Sequence, residues 1–253
     1  LLREDEEVDP EILYNVVKGM ELYEGINTHI THAMAPVLLA DEGVYLDYAE
    51  TLAREGMVLA EEELEEVRER GIFDSEEQYE RAAAGQRATF LDALGWVLLA
   101  KGEIDDAEGT LLEALQASNQ ISSVFLHLGN LYEARHARMM EEDPEDGADD
   151  YLDQALDFYL KGTLVQGMGE NPNDEALETL YAKRFGSMEG FEAFVARANA
   201  TDADTRQAKI LAERIGDPAP MVEFAMATLA GDTVRSADLA GKVVVINFWG
   251  TWC

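Results

Sequence analysis

Apolar positions recur at three- and four-residue steps from about Pro10 to Asn199, the spacing of helices that each bury one face. The first such segment opens on Asp9-Pro10. Asp suits a helix N-cap, and Pro fits the first helical position, where no N–H is needed. Its Ile12, Val16, Met20 and Tyr23 predict one buried stripe. Ser75-Glu76-Glu77-Gln78 has the spacing of a capping box, in which the Ser and Gln side chains satisfy free N–H groups at a helix start. Two later helices are expected over about Asp174 to Arg184 and Met188 to Ala198.

Between them the pattern repeats. Leu91, Leu94, Gly95 and Leu98 are followed by Ala107, Leu111 and Ala114. Thirty-four residues after Gly95 comes Gly129, with Phe125, Leu128 and Tyr132 around it in the same order. A small residue lets one helix approach the next, while large apolar residues fill the space beside it. The spacing and residue types resemble a tetratricopeptide pair, whose period is about 34 residues. The second half of the second unit is displaced by the acidic stretch 141–150 and resumes as Ala155, Tyr159 and Gly162. Such arrays usually serve protein–protein contact.

After Ile215-Gly216-Asp217-Pro218-Ala219-Pro220 the period changes. Val222, Phe224 and Met226 alternate, Gly231-Asp232 reads as a turn, and Ser236 to Leu239 as one helical turn. Gly241-Lys242 leads into Val243-Val244-Val245-Ile246-Asn247-Phe248, apolar enough for a strand inside a sheet. Such a strand needs neighbours on both sides.

The expected fold class is therefore mostly α: a tetratricopeptide-like array of helical hairpins, then the opening β segment of an α/β domain. The divisions are an N-terminal helical region over 1–87, repeats over 88–165, capping helices over 166–215 and the β segment over 217–253.

Composition narrows the function. The 253 residues are 47% hydrophobic, which suits a folded chain, and no apolar run reaches the eighteen or so residues of a membrane span. Fifty-two acidic residues against nineteen basic give a net charge of −33. That excludes a nucleic-acid binder, which needs clustered Lys and Arg, and disfavours docking on anionic lipid. The acidic residues are spread through Glu61-Glu62-Glu63, Glu65-Glu66, Asp105-Asp106 and beyond. They suit life in high salt, where repulsion is screened, or recognition of a partner.

The C-terminal residues carry the chemistry. Ala219-Pro220, Phe224, Leu229, Gly231, Val234, Asp238-Leu239, Gly241-Lys242-Val243-Val244, Asn247-Phe248-Trp249 and Thr251-Trp252-Cys253 resemble the opening of the TlpA/ResA-like thiol–disulfide oxidoreductases, extracytoplasmic members of the thioredoxin superfamily. The resemblance covers about residues 217 to 253. It implies that the strand delivers Trp252 and Cys253 to a helix start, where the macrodipole and free N–H groups favour a thiolate. Cys253 matches the attacking thiol, with Trp252 its motif neighbour. The resolving cysteine, separated from the first by two residues in the motif, falls past Cys253, so the parent protein is expected to continue. The chain also opens on Leu1, as expected where a leader or anchor has been removed.

Other signals weigh less. His29 and His32 could share a helix face, but no third ligand stands at a fitting spacing, and His127 and His136 read as structural. In Asp143 to Asp150 the calcium-loop register fails, because Gly147 would occupy the fifth position. Met139-Met140 reads as core filler. No phosphate loop, Ser-His-Asp order or zinc-protease motif is present.

Two readings follow. The first is an extracytoplasmic thiol–disulfide oxidoreductase with no cofactor beyond its dithiol. Its helical domain would bind a client bearing a thiol or disulfide, or a partner subunit, with Asn119, Asn130 and Arg135 as candidate peptide-binding residues. It would meet a membrane only through a removed N-terminal anchor. The alternative is a non-catalytic tetratricopeptide-like scaffold.

Overall fold

The computed structural model describes residues 9–22, 30–142, 149–165, 169–212, 222–228 and 231–242. Helix α1 (Pro10–Leu22) starts where the sequence places it, with Asp9 Oδ1 accepting the Glu11 N–H at 2.9 Å. Its buried face is not the expected one. Ile12 and Val16 are 61% and 54% exposed, Val17 is buried, and Tyr23 lies outside the described residues. The helix rolls by about one residue because Leu13 and Val17 enter a cluster with Leu39, Ala40, Leu52 and Val97. Tyr14 fixes that roll by stacking on Tyr45 at 4.5 Å between ring centres.

A π-helical turn (Ile30–Met34) leads into α2 (Ala35–Asp41). Helices α3 (Leu46–Glu69), α4 (Glu76–Ala100), α5 (Ile104–Ala117), α6 (Ser122–Glu142), α7 (Asp149–Thr163), α8 (Pro172–Phe185) and α9 (Phe191–Ala212) follow. At the start of α4, Ser75 Oγ accepts the Gln78 N–H at 3.2 Å, and Gln78 Oε1 accepts the Asp74 N–H at 2.7 Å. The reciprocal bond of the expected capping box thus falls one residue earlier. The acidic stretch 141–150 divides between the end of α6 and the start of α7, with 143–148 outside the described residues.

Helices α4 and α5 form one hairpin and α6 and α7 another. Leu91, Leu94, Leu98, Leu111, Leu128, Tyr132, Leu156 and Tyr159 share one buried cluster between them. Each such side chain contributes on the order of 1.5–3 kcal/mol by leaving water. An exposed ion pair such as Arg81–Glu77 contributes about 0–1 kcal/mol, so the cluster rather than the surface charge sets the stacking.

The approach of the helices is set at two glycines. A methyl on Gly95 would lie 2.6 Å from Leu111 Cγ, and one on Gly129 would overlap the edge of the Tyr159 ring at Cε1 and Cδ1. The two glycines thirty-four residues apart therefore do the same work in consecutive hairpins. Downstream, Asn171 caps α8 by accepting the Asn173 N–H at 3.1 Å, and Tyr181 packs edge-on against Phe191.

The chain divides into two units, Leu1–Ala200 and Thr201–Cys253. In the second, β1 (Ala225–Ala227) pairs antiparallel with β2 (Thr233–Arg235), with Met226 opposite Val234. Gly231 turns the hairpin at φ +87°, a conformation that needs no Cβ. A 3₁₀ turn over Ser236–Leu239 follows. Among the described residues the fold is thus mostly helical with one two-stranded antiparallel sheet. The expected strand Val243 to Phe248 lies outside them.

Gly129→Ala is expected to lower stability by about 2–3 kcal/mol, since the Tyr159 ring has no room to yield. Gly109→Ala, whose methyl meets nothing within 4 Å, is expected to raise it by about 0.5–1 kcal/mol. Urea unfolding of both variants checks the pair, and equal effects would remove the Tyr159 contact as the constraint.

Candidate functional site

The described part of the C-terminal unit comprises the end of α9 and the hairpin and turn that hold the first half of the motif. Ser236 ties its base together: the Ser236 N–H donates to Phe224 O at 3.0 Å, and Ser236 Oγ accepts the Phe224 N–H at 3.1 Å. At the other end Thr228 Oγ1 accepts the Asp232 N–H at 3.1 Å. Ser236 is buried, while all six strand residues are exposed. A two-stranded ribbon alone is marginal in water, so these polar clamps matter to its shape. Trp252 and Cys253 lie outside the described residues.

The three candidate peptide-binding residues fall in different settings. Asn119 is exposed between α5 and α6, and its Oδ1 accepts from Gln120 Nε2 at 2.8 Å. Asn130 faces α7, where its Oδ1 accepts the Tyr159 hydroxyl at 2.6 Å. Arg135 faces α5, donating to Asp105 at 2.8 Å and to Glu108. Asn130 and Arg135 are thus engaged in joining helices.

Those joining groups sit well away from neutral titration. Burial, then the bond to Glu108, pushes the Tyr132 hydroxyl up to about 12. Burial, then the nearby Glu133 carboxylate, pushes Tyr159 up as well. The Lys101 ammonium, followed by Arg54, holds Glu50 below the usual carboxylate range. These groups serve as fixed donors and acceptors rather than as proton carriers near pH 7.

One polar cluster was not anticipated from the sequence. Asp92 on α4 is buried, accepting the Ser123 hydroxyl at 2.6 Å and His127 Nδ1 at 2.8 Å from α6. The His127 ring stacks on Trp96 at 4.3 Å, and Trp96 Nε1 donates to Asp41 at 2.7 Å. The available signal was Asp92 itself, a lone carboxylate within Phe90-Leu91-Asp92-Ala93-Leu94. A buried charge on an apolar face requires a partner. The serine is bonded to the aspartate rather than to the imidazole, so the arrangement is not that of an activated hydroxyl nucleophile.

Of the other histidines, His32 and His136 are half-buried, and His29 lies outside the described residues. Among the described residues, no group of three or more His, Asp or Glu is placed to hold a metal ion. No helix among them is long and apolar enough to cross a membrane.

No protein-family model and no solved structure matches the chain. Among curated proteins it is 48% identical over 40 residues to the thiol-disulfide oxidoreductase ResA of Bacillus thuringiensis (strain Al Hakam) and of Bacillus anthracis. The ResA of a Bacillus cereus strain matches to the same extent. The match takes in 16% of this chain, which spans only 22% of the length of these relatives. This short, partial similarity suggests a thioredoxin-like relationship and a redox-related function, and no more.

His127→Ala is expected to cost about 3 kcal/mol, because Asp92 would keep its burial and lose one of its two hydrogen-bond partners. Adding Asp92→Asn should return part of that loss, since an amide is cheaper to bury than a carboxylate. Urea midpoints of the single and double variants read this directly, and strict additivity would separate the two side chains energetically.

Proposed function

We propose that the protein is a thiol–disulfide oxidoreductase whose attacking thiol is Cys253, with a tetratricopeptide-like helical domain that binds its client. The observation that carries the reading is the ordered motif over 217–253 ending in Trp249-Gly250-Thr251-Trp252-Cys253, supported by the 40-residue similarity to the ResA proteins. Cys253 is the chain's single cysteine, so a complete cycle needs a second thiol from the residues that follow.

In the proposed reaction the Cys253 thiolate attacks one sulfur of a substrate disulfide, forming a mixed disulfide and releasing the other sulfur as a thiolate. A cysteine three positions after Cys253 then attacks Cys253 sulfur, releasing the reduced client and leaving an intramolecular disulfide. Two electrons pass from the dithiol to the client, and an external thiol reductant restores the pair. This chemistry belongs outside the cytoplasm, as in the family that the motif resembles. The β1–β2 hairpin and the turn at Ser236 would then open the thioredoxin-like domain.

The test is insulin reduction with dithiothreitol, by the polypeptide extended through the residues encoded after Cys253. Turnover abolished to background by Cys253→Ser, with an unchanged circular dichroism spectrum, is the expected result. A natively folded extended protein that shows no turnover would overturn the redox reading and leave the helical domain as a scaffold.

A further inference from the structure

The hairpin of α3 and α4 carries an open groove of about 590 Å³ on its surface, within the size range of binding clefts. Phe90 and Ala60, both buried, form its floor, and Met57, Leu64, Ala83 and Ala84 line its sides. The hollow has a sequence cause. The run Ala82-Ala83-Ala84-Gly85 gives α4 little more than methyl groups opposite the longer side chains of α3. Near the loop joining the helices, Tyr79 stands at one end of the groove. Its hydroxyl donates to Glu65 at 3.0 Å, its ring meets Phe73 edge-on at 5.5 Å, and the Arg68 guanidinium lies over it at 4.3 Å.

The rim is acidic. Glu61 is exposed and has no cationic partner among the described residues, while Glu65 on the next turn is already paired with Arg68 at 3.5 Å. Arg87, the one cation of the lining, is paired with Glu113. An apolar floor with carboxylates along one edge disfavours an acidic or neutral occupant and complements a cationic, amphipathic one. It likewise disfavours a second copy of this chain, which carries −33.

We propose that the α3–α4 groove binds a segment of a partner protein that presents Leu- or Phe-like side chains flanked by Lys or Arg. The apolar side chains fill the space above Phe90 and Ala84, and a flanking cation meets Glu61. The proposal needs neither Cys253 nor turnover, so it stands or falls separately from the thiol chemistry.

Fluorescence anisotropy of the 253-residue protein at about 0.15 M salt, where long-range attraction is screened, tests it. The probe is a fluorescein-labelled Leu/Lys amphipathic peptide of about four helical turns. Saturable binding with Kd on the order of 10 μM is expected. An Ala/Lys peptide of the same charge should bind at least about tenfold more weakly, and a Leu/Glu peptide should not saturate. Glu61→Lys should weaken the Leu/Lys peptide about tenfold, while Glu175→Lys, the same charge change on α8, stays within about twofold. Ala84→Trp, which fills the groove, should weaken it as well, and should that variant lose helical content the Glu61→Lys and Glu175→Lys pair decides. Equal weakening by the two charge reversals, or equal binding of the Ala/Lys peptide, would reveal general attraction to an acidic surface and overturn the proposal. Equal binding of the Leu/Glu peptide would overturn the charge match. A sedimenting dimer that does not bind the Leu/Lys peptide would assign the groove to a second copy and overturn it too.

Discussion

The helical unit depends on how closely its helices approach, and that distance is decided where a large side chain of one helix meets a glycine of another. Leu111 meets Gly95, Tyr159 meets Gly129, and Phe90 meets Gly56, where an added methyl would lie 2.6 Å from the ring. Asn173 meets Gly162 in the same way. Interiors pack at crystal-like density, so a missing Cβ at a crossing cannot be restored without moving a whole helix. The polar bonds follow from that spacing. Tyr159 reaches Asn130 and Glu133, and Tyr132 reaches Glu108, because the rings are already held between helices.

Charge is superimposed on this frame and does not build it. The cations of the structure are spent largely on ion pairs, some between helices, such as Lys101 with Glu50 and Arg184 with Asp153. Acidic residues in large excess then remain on the surface. Their mutual repulsion acts on the folded state as a whole, is screened by salt, and leaves the apolar contacts between hairpins unchanged.

Much of this was legible in the sequence because it depends on local spacing. The helix start at Asp9-Pro10, the turn at Gly231-Asp232 and the 3₁₀ turn at Ser236 each follow from chain neighbours alone. Gly95 and Gly129 could be singled out because each is flanked by large apolar residues in the same order, and each meets a large side chain of the following helix. The roll of α1 was not. Ile12-Val16 and Leu13-Val17 are both helical pairs, and only the cavity offered by Leu39, Leu52 and Val97 chooses between them. The Asp92–His127 bond joins residues on different helices, so the sequence could show the need for a partner but not which one. The α3–α4 groove arises from side chains that are too short, and an absence of volume has no periodic signature.

The redox reading rests on Cys253 and a second thiol acting as one two-electron couple. The direct measurement equilibrates the polypeptide, extended through the residues encoded after Cys253, with glutathione buffers of graded potential, then counts alkylated thiols by mass. The account predicts that Cys253 and the cysteine three positions on are protected together, following a two-electron curve in which about 30 mV changes the ratio tenfold. Alkylation of Cys253 alone, at every potential, would contradict it.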